Sequence, residues 1–301
     1  MAEELQLALD LYPDVPDHRP RPGGPLITIP REHGEVVHAG GKGLVAIAHR
    51  TKKDRWRERV HGVEAALELL NHYRGQRDVY LSTQRFRGRR RVAYLLSLSE
   101  LYADLDYYRI PELTDADPRK VLELALKALS RAARMPEPSL AISSGRGLYL
   151  LWLHEPIARS ALPRWAACQR ELCKVLKPLG ADSLAVDAAR VLRVIGTHHS
   201  EARAMVEAIT PAGEVWEFNE LADRILPLTR AELHDLRIQR ALRGPRSPSE
   251  SLRTPPEGFS LRRYPLGGPS ERPAAPQKSC VGSGSRCPTS AIGGSSSLEW
   301  E

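Results

Sequence analysis

Between residues 95 and 107 the chain reads Leu-Leu-Ser-Leu-Ser-Glu-Leu-Tyr-Ala-Asp-Leu-Asp-Tyr, a strand-forming run that ends in two carboxylates one residue apart. Side chains alternate across a strand, so Asp104 and Asp106 share one face with Tyr102, roughly 7 Å apart, while Ala103, Leu105 and Tyr107 pack beneath. Strand patterns also cover 78–82, 140–143, 148–153 and 190–195. Two more, 26–29 and 43–48, flank Gly40-Gly41-Lys42-Gly43, which reads as a hairpin tip. A closing hairpin is expected from 204–209 and 215–218, joined at Pro211-Ala212-Gly213.

Helical spacing alternates with these strands. Val63, Ala66, Leu67 and Leu70 form one apolar face that closes near Gly75. Asp117-Pro118 opens a helix to about residue 134, with Val121, Leu122, Ala125 and Leu129 on its buried side. Ser160 is the expected cap of the next, which runs to about residue 176 and stops at Pro178. Two short helices follow, one capped by Asn219 and the other by the capping box Thr229 to Glu232. The sum is an α/β (α+β) domain over 26–218, a mixed sheet flanked by helices, with C-terminal helices over 219–243. Residues 1–25 are Pro-rich and polar and read as a flexible leader. Residues 244–301 are rich in Pro, Ser, Gly and Arg and too poor in apolar residues to bury a core, which predicts a disordered tail.

Composition narrows the class. No apolar run reaches the roughly 18 to 20 residues of a membrane span, and the acidic start lacks a signal-peptide pattern, so a cytoplasmic protein is expected. Cys168, Cys173, Cys280 and Cys287 show neither a disulfide framework nor zinc spacing. The formal net charge of +7 is concentrated: residues 50–59 hold six basic residues against two acidic, and Arg85, Arg87, Arg89, Arg90 and Arg91 fall within seven positions. A polyanion is the natural partner of the arginine loop, DNA above all, although a basic surface can also serve solubility alone.

Two like charges on one strand face repel unless a cation lies between them. Magnesium or manganese, taken as a pair of divalent ions, supplies that charge and suits phosphoryl chemistry; a solvated turn is the bland alternative for Asp-X-Asp. Such a site needs a third acid, for which Asp187 is the candidate. On an extended chain Arg193 has the same parity as Asp187 and Arg190 does not, so Arg193 would share its face and grip a triphosphate. Arg190 fits a surface ion pair equally well. Gly145 and Gly147, in the turn Ser144-Gly145-Arg146-Gly147, let backbone N–H groups approach a phosphate. Ser144 and Tyr149 add hydroxyls there, while Trp152 reads as core. Gly40 to Gly43 is not a P-loop, since no Gly-Lys-Ser/Thr opens a helix.

Taken in order, Asp104-Leu105-Asp106, then Ser144-Gly145-Arg146-Gly147-Leu148-Tyr149, then Asp187 through Arg190, Arg193, Gly196 and Thr197, the chain resembles the archaeo-eukaryotic primase superfamily, most closely the replication primases of plasmids and phages. The likeness runs from about 78 to 199. It implies a core with a sheet related to the RNA-recognition-motif fold, and a primase or primase-polymerase that copies single-stranded DNA from nucleoside triphosphates with divalent metal. Carried over, Asp104, Asp106 and Asp187 are the metal-binding, catalytic acids. Ser144, Gly145, Arg146, Gly147, Arg190 and Arg193 bind nucleotide. Where many members have histidine after the turn this chain has Tyr149, an uncharged donor. His198 and His199 follow Gly196-Thr197, their role open. No helicase motif or zinc-ligand set accompanies these, so a replicative helicase would be a separate chain.

Two other classes fit the charge. A rolling-circle nickase or relaxase would use Tyr107 or Tyr108 as nucleophile with His198 and His199 as metal ligands, but adjacent residues of a strand point oppositely. A non-catalytic replication initiator would bind DNA through the arginine loop and the C-terminal helices.

Overall fold

The structure is a computed structural model that describes residues 25–38, 41–51, 53–132 and 135–242. The expected leader, short of Pro25, and the expected tail lie outside the described residues. The elements in chain order are α1 (Pro30–His38), β1 (Leu44–Arg50), β2 (Trp56–Gly62), α2 (Val63–Asn71), β3 (Val79–Ser82), β4 (Arg85–Phe86) and β5 (Leu95–Leu105). They continue with α3 (Pro118–Arg131), β6 (Leu140–Ser143), β7 (Leu148–Ala158), α4 (Leu162–Leu176) and β8 (Val191–Arg193). Last come β9 (His198–His199), β10 (Ala204–Met205), β11 (Glu207–Ala208), α5 (Phe218–Ile225) and α6 (Arg230–Leu242). This is the mixed α+β class the patterning predicts.

One feature of the sheet positions everything else. β3 and β4 are one line broken by a bulge, and β1 pairs with both of them along one edge. Along the other edge β3 pairs with β8 and β4 pairs with β5. The sheet therefore forks at residues 83–84: β8 leaves on one branch, and β5, β7, β6 and β11 on the other. Past the fork, among the described residues, β5 has on that side only the Leu105–Ala181 bridge, and the backbone left unpaired there is satisfied by side chains. Gln84 donates to the Glu100 carbonyl at 2.8 Å and accepts from the Ser99 N–H at 2.8 Å. Trp165 of α4 donates to the same Glu100 carbonyl, and buried Gln169 accepts from and donates to Tyr102. Buried backbone groups need such partners, which is why polar Gln84 and Gln169 lie within the core.

Apolar burial follows the expected faces. Val63, Ala66, Leu67 and Leu70 of α2 pack with Val45, Ile47, Val79, Leu81 and Val194. The larger core joins β5, β6 and β7 to α3 and α4 through residues such as Leu101, Leu150, Val121, Leu129, Trp165 and Leu172. Asp117 caps α3 as expected, accepting from the Arg119 N–H at 2.7 Å, and Thr229 and Glu232 form the capping box of α6.

Five local expectations are corrected. Residues 26–29 are not a strand; they lead into α1, whose Glu32 accepts from the Thr28 N–H at 3.0 Å and fixes the helix start. The Gly-rich stretch is not a hairpin tip. Gly41 has no room for a Cβ because it would fall 1.0 Å from the Arg85 Nη1. The true hairpin is β1 with β2, in register from Leu44–Gly62 to Arg50–Trp56; β2 alternates charges as an edge strand does, which hides it from a hydrophobic pattern. Ser160 does not cap α4, which starts after Ala161 without a side-chain cap. The closing hairpin is absent: β10 pairs with β9, β11 with β6, and Trp216 bridges to His154. Glu217, not Asn219, caps α5, accepting from the Glu220 N–H at 2.8 Å.

Candidate functional site

β5 carries Asp104 to the open end of the fork, and Asp106 stands one residue past the strand. There residues 180–182 cross beside it: the Asp106 N–H donates to the Gly180 carbonyl and the Asp182 N–H to the Asp104 carbonyl, both at 2.9 Å. Gly180 is required twice over. Its φ is +85°, and a Cβ would lie 2.9 Å from the Asp106 carbonyl carbon. This close crossing brings a third carboxylate, Asp182, near the pair.

The electrostatics record the crowding. Asp104 is pushed up to about 7, first by burial and then by the charges of Asp106 and Asp182, with Arg190 and Arg193 opposing. Asp106 is raised by burial and by Asp182, against the pull of Arg109 and Arg146; its Oδ2 lies 3.1 Å from the Arg109 Nη2. Two partly buried acids that hold their protons too tightly form a site short of positive charge. Hard oxygen donors in that state fit a magnesium or manganese ion.

The turn between β6 and β7 closes one side. The Ser144 Oγ accepts from the Gly147 N–H at 3.1 Å, so the hydroxyl holds the turn in shape. Gly145 has φ +100° and a Cβ there would meet the His199 Cβ at 2.7 Å; at Gly147 it would meet the Leu105 carbonyl oxygen at 2.8 Å. Gly147 thus lets the turn lie directly on the end of β5, and Gly145 lets it lie on His199 of β9. Arg146 leans over the Tyr108 ring at 4.4 Å and pairs with Glu201 at 2.9 Å, while its charge reaches Asp106.

Across the fork stand the arginines. Tyr149 is directly opposite Asp104 in the β5–β7 ladder, and the charge of the Arg193 guanidinium, coming from the other branch, acts on its phenol. Arg193 also lies 3.4 Å from Asp78 and 4.9 Å above the Tyr80 ring. Arg190 donates to the Leu184 carbonyl at 2.9 Å, and its charge acts on Asp104. Tyr149 and Arg193 therefore join the acid pair on one surface, and Tyr149 occupies a site position although it is buried.

Asp187 does not join them. Its side chain is 50% exposed and turned toward its own loop, with Oδ1 accepting from the Ala189 N–H at 2.9 Å and Oδ2 3.4 Å from the Arg190 Nε. Among the described residues no three His, Cys, Asp or Glu side chains form a group that could hold a metal. Nor do Asp187 and Arg193 share a strand face, because only 191–193 are strand and residues 188–189 turn. The Asp187 backbone is nonetheless anchored to the site, since its carbonyl accepts from the Tyr102 hydroxyl at 2.8 Å.

The arginine loop divides. Arg85 is 2% exposed and packs on Gly41, so it is corrected from a DNA contact to a core residue. Arg90 is bound to the Glu58 carboxylate and to the Ala189 carbonyl, which ties β2 to the Asp187 loop. Arg87, Arg89 and Arg91 are exposed. Sequence reasoning missed Asp182, Tyr80 and the role of Asp78; the Gly180-Ala181-Asp182 triplet is the one local hint. His199 is pushed down to about 4 by burial and then by Arg193 and Arg146, and its Nδ1 accepts from the Ala202 N–H at 3.3 Å. Of the relaxase candidates, Tyr107 and His199 are buried, whereas Tyr108, under the Arg146 guanidinium, and His198 are half-buried.

No family model matches the chain. It is 30% identical over 194 residues to a replication protein of Clostridium perfringens, a match that covers 64% of this chain and 45% of that protein, so the chain spans about half the length of this curated relative. Among solved structures it is similar to the primase-polymerase AEP domain of cyanophage S-2L, at 14% identity over 65% of this chain and 95% of that one, TM-score 0.43. It is also similar to the catalytic domain of primase RepB' solved with initiator DNA, at 13% identity over 71% of this chain and 96% of that one, TM-score 0.40.

Proposed function

We propose that this chain is a replication primase or primase-polymerase of the archaeo-eukaryotic type, which makes primers on single-stranded DNA from nucleoside triphosphates. The observation that carries the reading is the paired Asp104 and Asp106 at the open end of β5. They are short of positive charge, flanked by the glycine turn, and faced by Tyr149 and Arg193. The 30% likeness to a replication protein agrees with it.

In this reading Asp104 and Asp106 hold magnesium or manganese, and Asp187, turned toward its own loop in this structure, would have to swing in as the third carboxylate. A bound divalent ion supplies charge neutralisation of the triphosphate and a lowered pKa for the attacking hydroxyl. Before it binds, the pair retains a proton, most readily on Asp104. Arg193, held by Asp78 and the Tyr80 ring, and Arg190, held by the 184–187 loop, present guanidinium groups to phosphate oxygens. Gly145 and Gly147 leave the turn backbone open to sugar or phosphate. Tyr149 serves to position Arg193, which replaces the attraction that histidine gives in relatives. The arrangement of Asp187 toward its own loop favours a second reading, an initiator that binds DNA without catalysis.

Labelled triphosphates, a single-stranded template and manganese, with EDTA as control, separate the two. Metal-dependent products lost in Asp106→Asn, with DNA binding retained, support the primase. Binding without any synthesis under those conditions supports the initiator.

A further inference from the structure

β2 runs along the margin of the sheet and, among the described residues, pairs only with β1. Its first residue, Trp56, is 45% exposed, whereas Trp152 and Trp165 are buried. A single exposed ring is ordinary on a protein surface; its neighbours are what set this one apart. Trp56 does not stand alone: its ring lies 5.1 Å from that of Tyr80, tilted by 49°, and the Arg193 guanidinium lies 4.9 Å from the Tyr80 ring. Arg193 then reaches Tyr149, which faces Asp104. A line of flat groups thus runs from the acid pair across the sheet face to the exposed indole.

The charge around this line is positive. Arg50, opposite Trp56 in the β1–β2 ladder and paired with Asp54 at 2.9 Å, and Arg193 share its face; Lys53 and Arg55 are exposed just before Trp56, whereas Arg57 and Arg59 project from the opposite face of β2. Glu58, which would repel a polyanion, is neutralised by Arg90. Aromatic rings interleaved with cations are what a single strand of nucleic acid needs, since unpaired bases stack and phosphates seek charge, whereas a duplex presents no free base face.

We propose that the β1–β2 hairpin is a binding platform for single-stranded nucleic acid, on which one base stacks against Trp56 and leads the strand along Tyr80 toward Asp104. It rests on the primase reading only in identifying that strand as the template. Binding of a labelled dT oligonucleotide in EDTA, with no triphosphate present, tests it apart from synthesis. In Trp56→Ala the affinity falls about tenfold and the quenching of tryptophan fluorescence by the oligonucleotide is largely lost, while Trp56→Phe keeps most of the affinity. Circular dichroism of both variants matches the unaltered chain, as expected for an exposed edge residue. Unchanged affinity in Trp56→Ala overturns the platform, as does equal competition by duplex and single strand. So does a dimer that dissociates in Trp56→Ala with oligonucleotide affinity intact, which would make the β2 edge a self-association surface. If the unaltered chain makes no primers but Trp56→Ala still loses binding, the primase reading fails and the platform stands.

Discussion

Asp104 and Tyr149 face each other across the β5–β7 ladder, and the charge of Arg193, from the opposite branch of the fork, acts on the phenol of Tyr149. The hydroxyl is raised by burial and then by the charge of Asp104, so it stays protonated at neutral pH. Tyr149→Phe removes the buried phenol oxygen on which the Arg193 charge acts. A buried guanidinium deprived of one partner costs about 1–3 kcal/mol, read as a lower melting temperature. Primer synthesis by the variant should show a KM for triphosphate raised at least threefold with kcat within about twofold, because phosphate gripping changes and the acid pair does not.

The acids can be ranked by substitution. Asp104→Asn and Asp106→Asn should each lower synthesis at least 100-fold in steady-state assays. Asp187→Asn should do the same if its carboxylate turns from Ala189 and Arg190 to complete the site. Asp182→Asn should keep synthesis within about tenfold and move the acid limb of the pH profile downward. The sign follows from the charges: Asp182 raises Asp104 and Asp106, so removing it lets both ionise at lower pH. A 100-fold loss in Asp182→Asn with Asp187→Asn unaffected would exchange their roles.

Much of this was legible in the sequence where one physical rule governed. The period of two put Asp104 and Tyr102 on one face, and Tyr102 does reach the Asp187 loop. Apolar spacing found α2 and α3 because both bury one stripe against the sheet. What failed depended on partners distant in the chain. Trp56 to Gly62 gives no apolar alternation because it is an edge strand. Arg85 looks like a surface cation by type, and only the bare backbone of Gly41 makes space to bury it. Asp182 reaches the acid pair because Gly180 crosses Asp106, a contact across 74 positions that no local pattern encodes.

Stability should fall on mild acidification. His33 and His38 are wholly buried and pushed down from 6.5 to about 4 and about 3, by burial above all; His154 is pushed down to about 4 for the same reason. Above pH 6.5 each is neutral in both folded and unfolded chains and costs nothing. As pH falls from 6.5 toward 4 the unfolded chain takes up protons that the folded chain refuses, so the folded state loses stability, by roughly 3 kcal/mol for His33 alone once the pH is below 4. Urea midpoints measured between pH 7.5 and 4.5 should decline steeply below pH 6. His33→Gln, which keeps an acceptor for the Ile195 N–H now bound at 3.2 Å, should flatten that decline.

The split within the arginine loop predicts two distinct phenotypes. Arg87, Arg89 and Arg91 are exposed, and each phosphate of single-stranded DNA left without its arginine flattens the salt dependence of binding by about 0.7 in the log–log slope. The triple alanine variant should therefore bind more weakly at low salt, with a slope smaller by about 2. Arg85 is different in kind. It sits in the core with its Nε unbonded and its charge disfavoured by burial, so Arg85→Met should leave the slope unchanged. Its effect should be on stability instead, and a small one, since an apolar chain of similar length replaces a charge that burial already penalises. Filter binding from 50 to 300 mM salt beside thermal melts decides it: a slope reduced in Arg85→Met would place its guanidinium on DNA rather than against Gly41.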